Sequence, residues 1–213
     1  MRLNKETKNL LIAMSFGDGY INPKGYLHLL HSQKQKDYLE YKYNLIKDLC
    51  KSGIKSTKVK GHKNTPYYYR VYLTTKINKF LKALRKSLYI NNKKLISRSL
   101  LNRVDDRGLA IWWMDDGCRS PQYREGKVHS VNYIFSTYLS KEDNKIIADW
   151  LLDKYNIKVN ITPRGKSGLY CITFHTKEGR KFSDIVRPYI IPSLLYKINP
   201  VGEVGNSLKQ ELP

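Results

Sequence analysis

The sequence contains no long hydrophobic run and has few acidic residues. Its 213 residues include 39 lysines and arginines but only 18 aspartates and glutamates, so the formal net charge is +21 at pH 7. No apolar stretch approaches the roughly 20 residues that a transmembrane helix requires, which excludes a membrane span. The basic residues are spread along the chain rather than collected on one amphipathic helix, which disfavours a membrane surface as partner. This charge predicts that the binding partner is a long polyanion, and nucleic acid is the first hypothesis for that partner.

Short motifs of several other protein classes are also missing. The 3 cysteines include no CxxC pair, which argues against a disulfide framework and a zinc ribbon and favours reduced thiols. The 5 histidines form no HxxxH or His-Asn-His pattern, which argues against a nuclease with histidine metal ligands. A Gly-x-x-x-x-Gly-Lys-[Ser/Thr] loop is absent, which argues against an ATP-driven machine. The first residues predict no secretion signal, so we expect an intracellular protein of an organelle (mitochondrion or chloroplast) or of bacterial or phage cytoplasm.

The predicted secondary structure occurs twice along the chain. Each half reads helix, strand, strand, helix, strand, strand, helix, and corresponding landmarks lie about 100 positions apart. This order predicts an α+β protein of two repeats, residues 1–105 and 106–213, with antiparallel strands in each. The predicted helices cover residues 10–14, 34–50, 77–87, 109–114, 141–154 and 177–187, and the main predicted strands cover 26–31, 57–62, 67–75, 119–123, 127–137, 157–162 and 169–175.

Two short apolar segments end in an acid followed by glycine. They are LIAMSFGDG, residues 11–19, and LAIWWMDDG, residues 109–117. Because a helix C-terminus carries partial negative charge, a carboxylate there is unfavourable unless a cation compensates. Asp-Gly is also an ordinary helix stop. Its recurrence at the same place in both repeats favours metal ligation by Asp18 and Asp116.

These two segments resemble the motifs of the LAGLIDADG homing endonucleases in their single-chain, two-motif form. Residues 109–117 are a close variant of the second motif, and the resemblance covers nearly the whole chain. The segments NNKK at 91–94 and IPSLLYK at 191–197 are similar to segments of the yeast omega-intron endonuclease group. Three motif positions depart from the family pattern, namely Ser15, Phe16 and Ile111.

The resemblance implies both a fold and a catalytic site. Two pseudo-symmetric αββαββα repeats would pack their motif helices at the interface between the repeats and lay saddle-shaped antiparallel sheets on DNA. Asp18 and Asp116 would be the catalytic acids, each serving one DNA strand. Both would also bind metal, together with the backbone carbonyl groups of Gly17 and Asp115.

The implied cofactor is Mg²⁺, for which Mn²⁺ can substitute. Mg²⁺ prefers oxygen ligands and binds phosphate oxygens, and it would activate water and stabilise the leaving 3′ oxygen. Lys94 and Lys197 match the family's basic residues beside the metal centres, where each would stabilise the charge that develops on the phosphate. In a chain this rich in lysine, a solvated surface side chain is the alternative for each of them.

Alternation of apolar and polar residues along the strands predicts one polar sheet face in each repeat. Such a face would lie along the major groove, where base edges are distinguishable. We expect Tyr67-Tyr68-Tyr69 and Trp112-Trp113 to pack in the core rather than to stack on bases. Exposure without a ligand is the alternative for every DNA-contact candidate. The candidates are Arg70, Arg119, Gln122 and Arg124 for bases, Lys58, Lys60, Lys127 and Lys166 for phosphates, and also Asn22, Lys24, Tyr26, His28, Tyr72, Lys158, Asn160, Arg164, Thr173 and His175.

Together these features predict a site-specific DNA endonuclease. We expect a monomer that makes a metal-dependent double-strand break with short 3′ overhangs at a long, partly palindromic target in double-stranded DNA. The break would promote intron or gene homing. One alternative is an RNA maturase that assists splicing of its host group I intron RNA, and another is a catalytically inactive DNA-binding regulator. Retention of both Asp18 and Asp116 favours the nuclease, since RNA binding does not need the acids.

Overall fold

The computed structural model describes residues 3–61, 67–165 and 168–199, apart from the side chain of Val128. The chain divides into two compact units, Met1–Lys94 and Leu95–Pro213. The segment after Lys94 is tied to the second unit, since the backbone N–H of Ile96 donates to Oδ1 of Asp143 at 2.9 Å. The compact units therefore divide earlier in the chain than the predicted repeat boundary at residue 105, which stays a prediction about the sequence duplication.

The first unit combines an antiparallel sheet with helices. Four strands form this sheet in the order β1-β2-β4-β3, and α2 packs on β2 and β4. A separate antiparallel hairpin consists of β5 and β6. The elements follow the chain as α1 (Lys5–Phe16), β1 (Tyr20–Ile21), β2 (Leu27–Ser32), α2 (Lys36–Ile46), β3 (Lys55–Lys60), β4 (Tyr67–Thr74), α3 (Lys79–Leu88), β5 (Tyr89–Ile90) and β6 (Lys93–Lys94).

The second unit repeats this arrangement. Its strands form an antiparallel sheet in the order β7-β8-β10-β9, and α7 packs on β8 and β10. The equivalent strand order in both sheets confirms the predicted α+β repeat. The elements are α4 (Arg98–Leu101), α5 (Asp106–Asp116), β7 (Gly117–Arg124), β8 (Lys127–Leu139), α6 (Lys141–Tyr155), β9 (Asn160–Arg164), β10 (Leu169–Phe174) and α7 (Thr176–Val186), followed by 3₁₀ turns at Arg187–Tyr189 and Pro192–Lys197.

Side-chain caps define where the helices begin. The Asn4 side chain accepts from the Thr7 N–H at 2.8 Å at the start of α1. Asp105 accepts from the Gly108 N–H at 2.8 Å at the start of α5. The predicted cap Ser140 accepts from the Asp143 N–H at 3.0 Å. Each cap satisfies a backbone donor that has no partner within its helix.

Two predicted boundaries differ from the structure. The helix expected over 34–50 is α-helical only from Lys36 to Ile46, with 3₁₀ turns on both sides. The strand expected from residue 157 begins at Asn160. Asn156 adopts a left-handed conformation with φ 53°, and the Ile157 N–H bonds back to Leu151 O at 3.3 Å. Ile157 is apolar because it packs beside this helix end, not because it occupies a strand.

The expected core alternation is confirmed in the first sheet. Leu27, Leu29, Val71 and Leu73 are each at most 1% exposed. In the second unit, the expectation for Trp112-Trp113 is also confirmed, since both rings are buried in an aromatic cluster.

The expectation that Tyr67-Tyr68-Tyr69 pack in the core is wrong for two of the three residues. Tyr67 and Tyr69 are 55% and 52% exposed. They share a sheet face with Val71 and Leu73 but lie at the opposite end of β4, where that face is uncovered.

Within the described ranges, none of the helices is both long enough and apolar enough to cross a membrane.

Candidate active site

Helix α1 ends in a turn that presents Asp18. The Gly17 N–H bonds to Ala13 O at 3.3 Å, and the Gly19 N–H bonds to Met14 O at 2.9 Å. A Cβ atom at residue 19 would lie 2.3 Å from the Met14 oxygen, so this turn requires glycine. The Asp18 side chain is 46% exposed. The first motif therefore places a solvent-accessible carboxylate at the end of a buried helix.

Lys94 supplies a cation at the same helix end. Its Nζ atom donates to Gly17 O at 2.5 Å and lies 3.4 Å from Phe16 O. The β5–β6 hairpin carries Lys94, and its turn residues Asn91 and Asn92 have φ values of 49° and 61°. Asparagine tolerates this left-handed conformation, which two-residue hairpin turns require. The lysine thus offsets the partial negative charge of the helix end.

The second unit has the same arrangement at the end of α5. The Nζ atom of Lys197 donates to Met114 O at 2.5 Å and lies 3.4 Å from Asp115 O. Lys197 is only 8% exposed and comes from the 3₁₀ turn at Pro192–Lys197. In both units, the lysine contacts the carbonyls one and two residues before the acid of the motif.

The carboxylate of Asp116 is held by its own helix. The Nε1 atom of Trp112 donates to Oδ2 of Asp116 at 3.0 Å. The centroid of the Trp112 ring lies 4.6 Å from the centroid of the Phe135 ring. At Gly117, an added Cβ would lie 2.1 Å from the ring of Trp113. The glycine after this acid is therefore required by packing against the tryptophan.

The carboxylate of Asp18 has a different neighbour, which the sequence reasoning missed. The Nδ1 atom of His31 lies 3.6 Å from Oδ2 of Asp18, and the His31 side chain is 2% exposed. Its Nε2 atom lies 3.1 Å from Nζ of Lys42, which is fully buried at 0% exposure. A signal did exist, since Lys42 follows Tyr38 and Leu39 on the apolar face of the predicted helix.

The donors at both helix ends suit a hard divalent cation. They are carboxylate and carbonyl oxygens, the ligands that Mg²⁺ and Mn²⁺ accept. Asp116 already accepts from Trp112, but a carboxylate offers about four lone-pair positions. The carbonyls of Gly17 and Asp115 each accept from a lysine, and each has two lone pairs. The predicted ligand set therefore fits these metals, while its use stays a prediction.

The DNA-contact candidates of the first sheet do not share one face. Cα partners in an antiparallel pair point to the same side, so Arg70 lies on one face with Thr57, whereas Lys58 pairs with Tyr69 on the other. The expectation that Lys58 and Lys60 share the polar face with Arg70 is therefore wrong. The strand register places Val59 on that face and the two lysines on the other. Lys55, which the sequence reasoning did not select, pairs with Tyr72 on that polar side.

Of the remaining candidates of the first unit, Tyr72 and His28 lie on this polar face, since His28 is the Cα partner of Thr74. Tyr26 and Tyr72 are half-buried. His28 Nδ1 lies 3.0 Å from Thr74 Oγ1, and burial lowers the pKa of this histidine. Asn22 caps a turn through its Oδ1 atom, which accepts from the Lys24 N–H at 2.8 Å.

In the second unit, the structure brings several candidates together. Asn160 Nδ2 lies 2.8 Å from His175 Nε2, and Asn160 is the Cα partner of Thr173. Arg119 departs from this group, because it pairs with the buried Tyr133 and so lies on the core side. The candidates Gln122, Arg124, Lys127 and Lys158 are exposed, Arg164 is half-buried, and Lys166 lies outside the described residues.

Comparison with known proteins identifies the family. The profile described as "LAGLIDADG DNA endonuclease family" matches residues 9–182. The chain belongs to this family. The predicted resemblance to the LAGLIDADG endonucleases is therefore confirmed.

Similar proteins cover most of this LAGLIDADG chain. A protein RecA of Mycolicibacterium chitae is 28% identical over 212 residues, which cover 93% of this chain and 48% of the relative. The cytochrome b mRNA maturase bI2 of Saccharomyces cerevisiae is 28% identical over 212 residues, with 92% and 48% covered. This chain thus spans about half the length of these curated relatives. The homing endonuclease I-WcaI bound to its DNA recognition sequence matches with a TM-score of 0.80 and 25% identity, over 93% of this chain and 88% of that chain.

Proposed function

We propose that this protein is a site-specific DNA endonuclease that cuts both strands of a long, partly palindromic duplex and leaves short 3′ overhangs. The observation that carries the proposal is the matched pair of helix ends, each with an acid and a lysine bound to the preceding carbonyls. Family membership and similarity to a DNA-bound homing endonuclease support it. The break would promote homing of an intron or gene, and the protein would act as an intracellular monomer.

Each unit would serve one DNA strand. Asp18 and Asp116, with the carbonyl oxygens of Gly17 and Asp115, would hold Mg²⁺ or Mn²⁺. When bound, such a metal supplies Lewis acidity that activates water and stabilises the leaving 3′ oxygen. A two-strand cut by one chain then needs both carboxylates, because each strand has its own scissile phosphate.

Lys94 and Lys197 would have two tasks. Their bonds to the helix carbonyls fix the turn before each acid. Their positive charge, delivered beside the carboxylate, would lower the energy of the negative charge that develops on the phosphate. An ammonium group held by backbone acceptors is preorganised for this role, since it does not have to be ordered during the reaction.

DNA recognition would come from the polar sheet faces. In the first unit this face carries Arg70, Tyr72 and Lys55, and in the second it carries Asn160 and Thr173. Antiparallel strands with different outward residues in the two units suit a target whose halves differ. Exposed lysines beside these faces would contact phosphates and add affinity without sequence preference.

The experiment that tests this function is selection of cleaved sites from a random duplex library. We expect recovery of one family of related sites in Mg²⁺ or Mn²⁺, with both strands cut at a fixed offset, and none with a chelator. Recovery of bound but uncut duplexes would favour a DNA-binding regulator. Failure to bind or cut any duplex under broad ionic conditions would contradict the proposal.

A second candidate function is RNA maturation, which the similarity to a yeast mRNA maturase favours. Splicing of the intron that encodes the chain, with and without the protein, measures this activity. We expect a maturase to work with Asp18→Asn and Asp116→Asn together, because RNA binding does not need the acids. If the double variant lost both splicing assistance and DNA cleavage, one site would serve both activities.

A further inference from the structure

A polar pair lies buried behind the exposed carboxylate of Asp18. Leu27, Leu29 and His31 alternate along β2 on the side that faces the core, so His31 stands where the pattern expects an apolar residue. Its partner Lys42 occupies the buried face of α2 at 0% exposure. Burying such groups costs free energy unless hydrogen bonds or charges compensate. Their position directly behind a carboxylate indicates a purpose beyond packing.

The three side chains form a continuous chain of contacts within the first unit. Lys42 Nζ lies 3.1 Å from His31 Nε2, and His31 Nδ1 lies 3.6 Å from Asp18 Oδ2. The Tyr38 ring supports both inner groups, with its centroid 4.3 Å from Lys42 Nζ and 5.1 Å from the centroid of the His31 ring. A cation over an aromatic face is stabilised electrostatically, which offsets part of the burial cost of the ammonium group.

This order of contacts determines the histidine tautomer. A lysine ammonium has three donors and no acceptor, so Nε2 of His31 must accept from Lys42. The ring proton of neutral His31 then resides on Nδ1, which faces Asp18. At 3.6 Å this contact is longer than a hydrogen bond, so the Nδ1–H dipole acts on the carboxylate electrostatically. Groups behind a metal-binding carboxylate commonly orient it, and the loss of this support weakens metal binding or activity about 10- to 100-fold in known sites.

The second unit supports its acid by different chemistry. Asp116 accepts from the indole N–H of Trp112, which lies on the same helix and packs on Phe135. The donor is neutral, and its aromatic neighbour makes the surroundings apolar. In the first unit, the neighbour of the carboxylate is an imidazole 3.6 Å away, which is itself hydrogen-bonded to a buried lysine. The two carboxylates are therefore chemically unequal, although their lysines and helix ends match.

We propose that Lys42 and His31 are positioning residues that hold the Asp18 carboxylate in its metal-binding orientation and so control cleavage of one DNA strand only. This inference rests on the proposed nuclease function, in which Asp18 serves one strand. In this proposal both residues act through Asp18 and neither contacts the metal or the scissile phosphate. Lys42 fixes the His31 tautomer, and His31 fixes the carboxylate.

The test uses conservative variants of both residues. Lys42→Met keeps an unbranched side chain of nearly the same length but removes the ammonium donor. His31→Phe removes both ring nitrogens, whereas His31→Asn retains an N–H near the Nδ1 position. Leu39→Met is the matched control, because residue 39 is also buried on α2 and the swap nearly conserves volume. Thermal melting and duplex binding measure whether each variant is folded.

The first readout follows each strand of a selected target separately. Lys42→Met and His31→Phe should slow cleavage of one and the same strand about tenfold, so that a nicked duplex accumulates, while the other strand is cut at the parent rate. His31→Asn should recover part of the loss. Leu39→Met should leave the ratio of the two strand rates unchanged. Equal slowing of both strands, or no slowing in any folded variant, would overturn the inference.

The second readout is independent of turnover. Mn²⁺ is titrated into the protein–DNA complex and the free ion is followed by electron paramagnetic resonance, with the duplex alone as background. In an Asp116→Asn background, adding Lys42→Met should weaken the remaining Mn²⁺ binding about tenfold. In an Asp18→Asn background, it should change nothing. If the parent protein cuts neither strand, the proposed function fails; if the parent cuts and these variants behave as the parent, only the positioning role fails.

Discussion

The Nζ atom of Lys94 lies 2.5 Å from the carbonyl oxygen of Gly17, the residue before Asp18. Lys197 takes the corresponding place before Asp116, with its Nζ 3.4 Å from Asp115 O. The last carbonyls of a helix have no partner within that helix, and an ammonium group satisfies them while offsetting the local negative charge. In each unit, an acid and a lysine distant in sequence therefore meet at one helix end.

Removing either lysine should slow chemistry without preventing DNA binding. We expect Lys94→Met and Lys197→Met each to lower the single-turnover cleavage rate about 100-fold, because positive charge beside the developing phosphate charge is lost. Lys36→Met is the control, since Lys36 is exposed on α2 and pairs with Glu40 at 3.3 Å. Strand-resolved cleavage and a duplex dissociation constant provide the measurements. Parent-like rates in both variants would show that the lysines only cap the helices.

Binding to the duplex should depend steeply on salt. With 39 basic and 18 acidic residues, the protein should release many counterions from DNA. We expect the dissociation constant to rise about 100-fold or more between 50 and 200 mM salt. Lys55→Gln should reduce the slope of log affinity against log salt by about one, because Lys55 lies on the polar sheet face, while Lys36→Gln should not. Fluorescence anisotropy measures the dissociation constant at each salt concentration. A parent-like slope for Lys55→Gln would mean that DNA does not bind the polar sheet face.

Alanine at Gly117 should destabilise the second unit. The added Cβ would lie 2.1 Å from the Trp113 ring, whose surroundings are filled by aromatic side chains. Overpacking of this kind costs about 2 kcal/mol, measurable as a lower denaturant midpoint at constant slope. Gly53→Ala is the matched control, since nothing lies within 4 Å of its new Cβ. Similar midpoints for both variants would mean that the tryptophan relaxes freely.

The cysteines should differ in reactivity. Cys50 and Cys171 are buried, and Cys118 is exposed. Burial raises the pKa of the Cys50 thiol to about 11. Partial desolvation of its sulfur also raises the pKa of the Cys118 thiol, although the residue as a whole is exposed. At pH 8, iodoacetamide should therefore alkylate Cys118 slowly in the folded protein, faster as pH rises, and reach the other two only after unfolding. Mass spectrometry of tryptic peptides measures this, and rapid labelling of all three would contradict the packing.

Patterns along the chain were enough to predict the repeat and both acids. The recurrence of an apolar helix followed by acid and glycine selected Asp18 and Asp116 as candidates, and the helix cap Ser140 was predicted directly. Lys94 and Lys197 could be selected only through the family resemblance, because lysines are common and nothing local distinguishes these two. Their contact with the helix carbonyls depends on a hairpin and a 3₁₀ turn distant in sequence.

Strand register and buried polar contacts could not be read from the sequence. Alternation does not reveal which face of the sheet carries Lys58 and which carries Val59, and the pairing of Lys58 with Tyr69 decides it. The pattern could place Lys42 on the apolar face of its helix, but its contact with His31 depends on how α2 packs against β2. Such contacts arise from tertiary packing, which the local pattern of apolar and polar residues does not predict.

The most direct test of the central claim is strand-resolved cleavage of a selected target by Asp18→Asn and Asp116→Asn. Asparagine keeps the shape of each side chain but removes the negative charge that a divalent cation requires. We expect neither variant to make a double-strand break, while both bind the duplex nearly as well as the parent and the exposed control Asp37→Asn cuts normally. A double-strand break at the parent rate by either variant would contradict the assignment of one carboxylate to each strand.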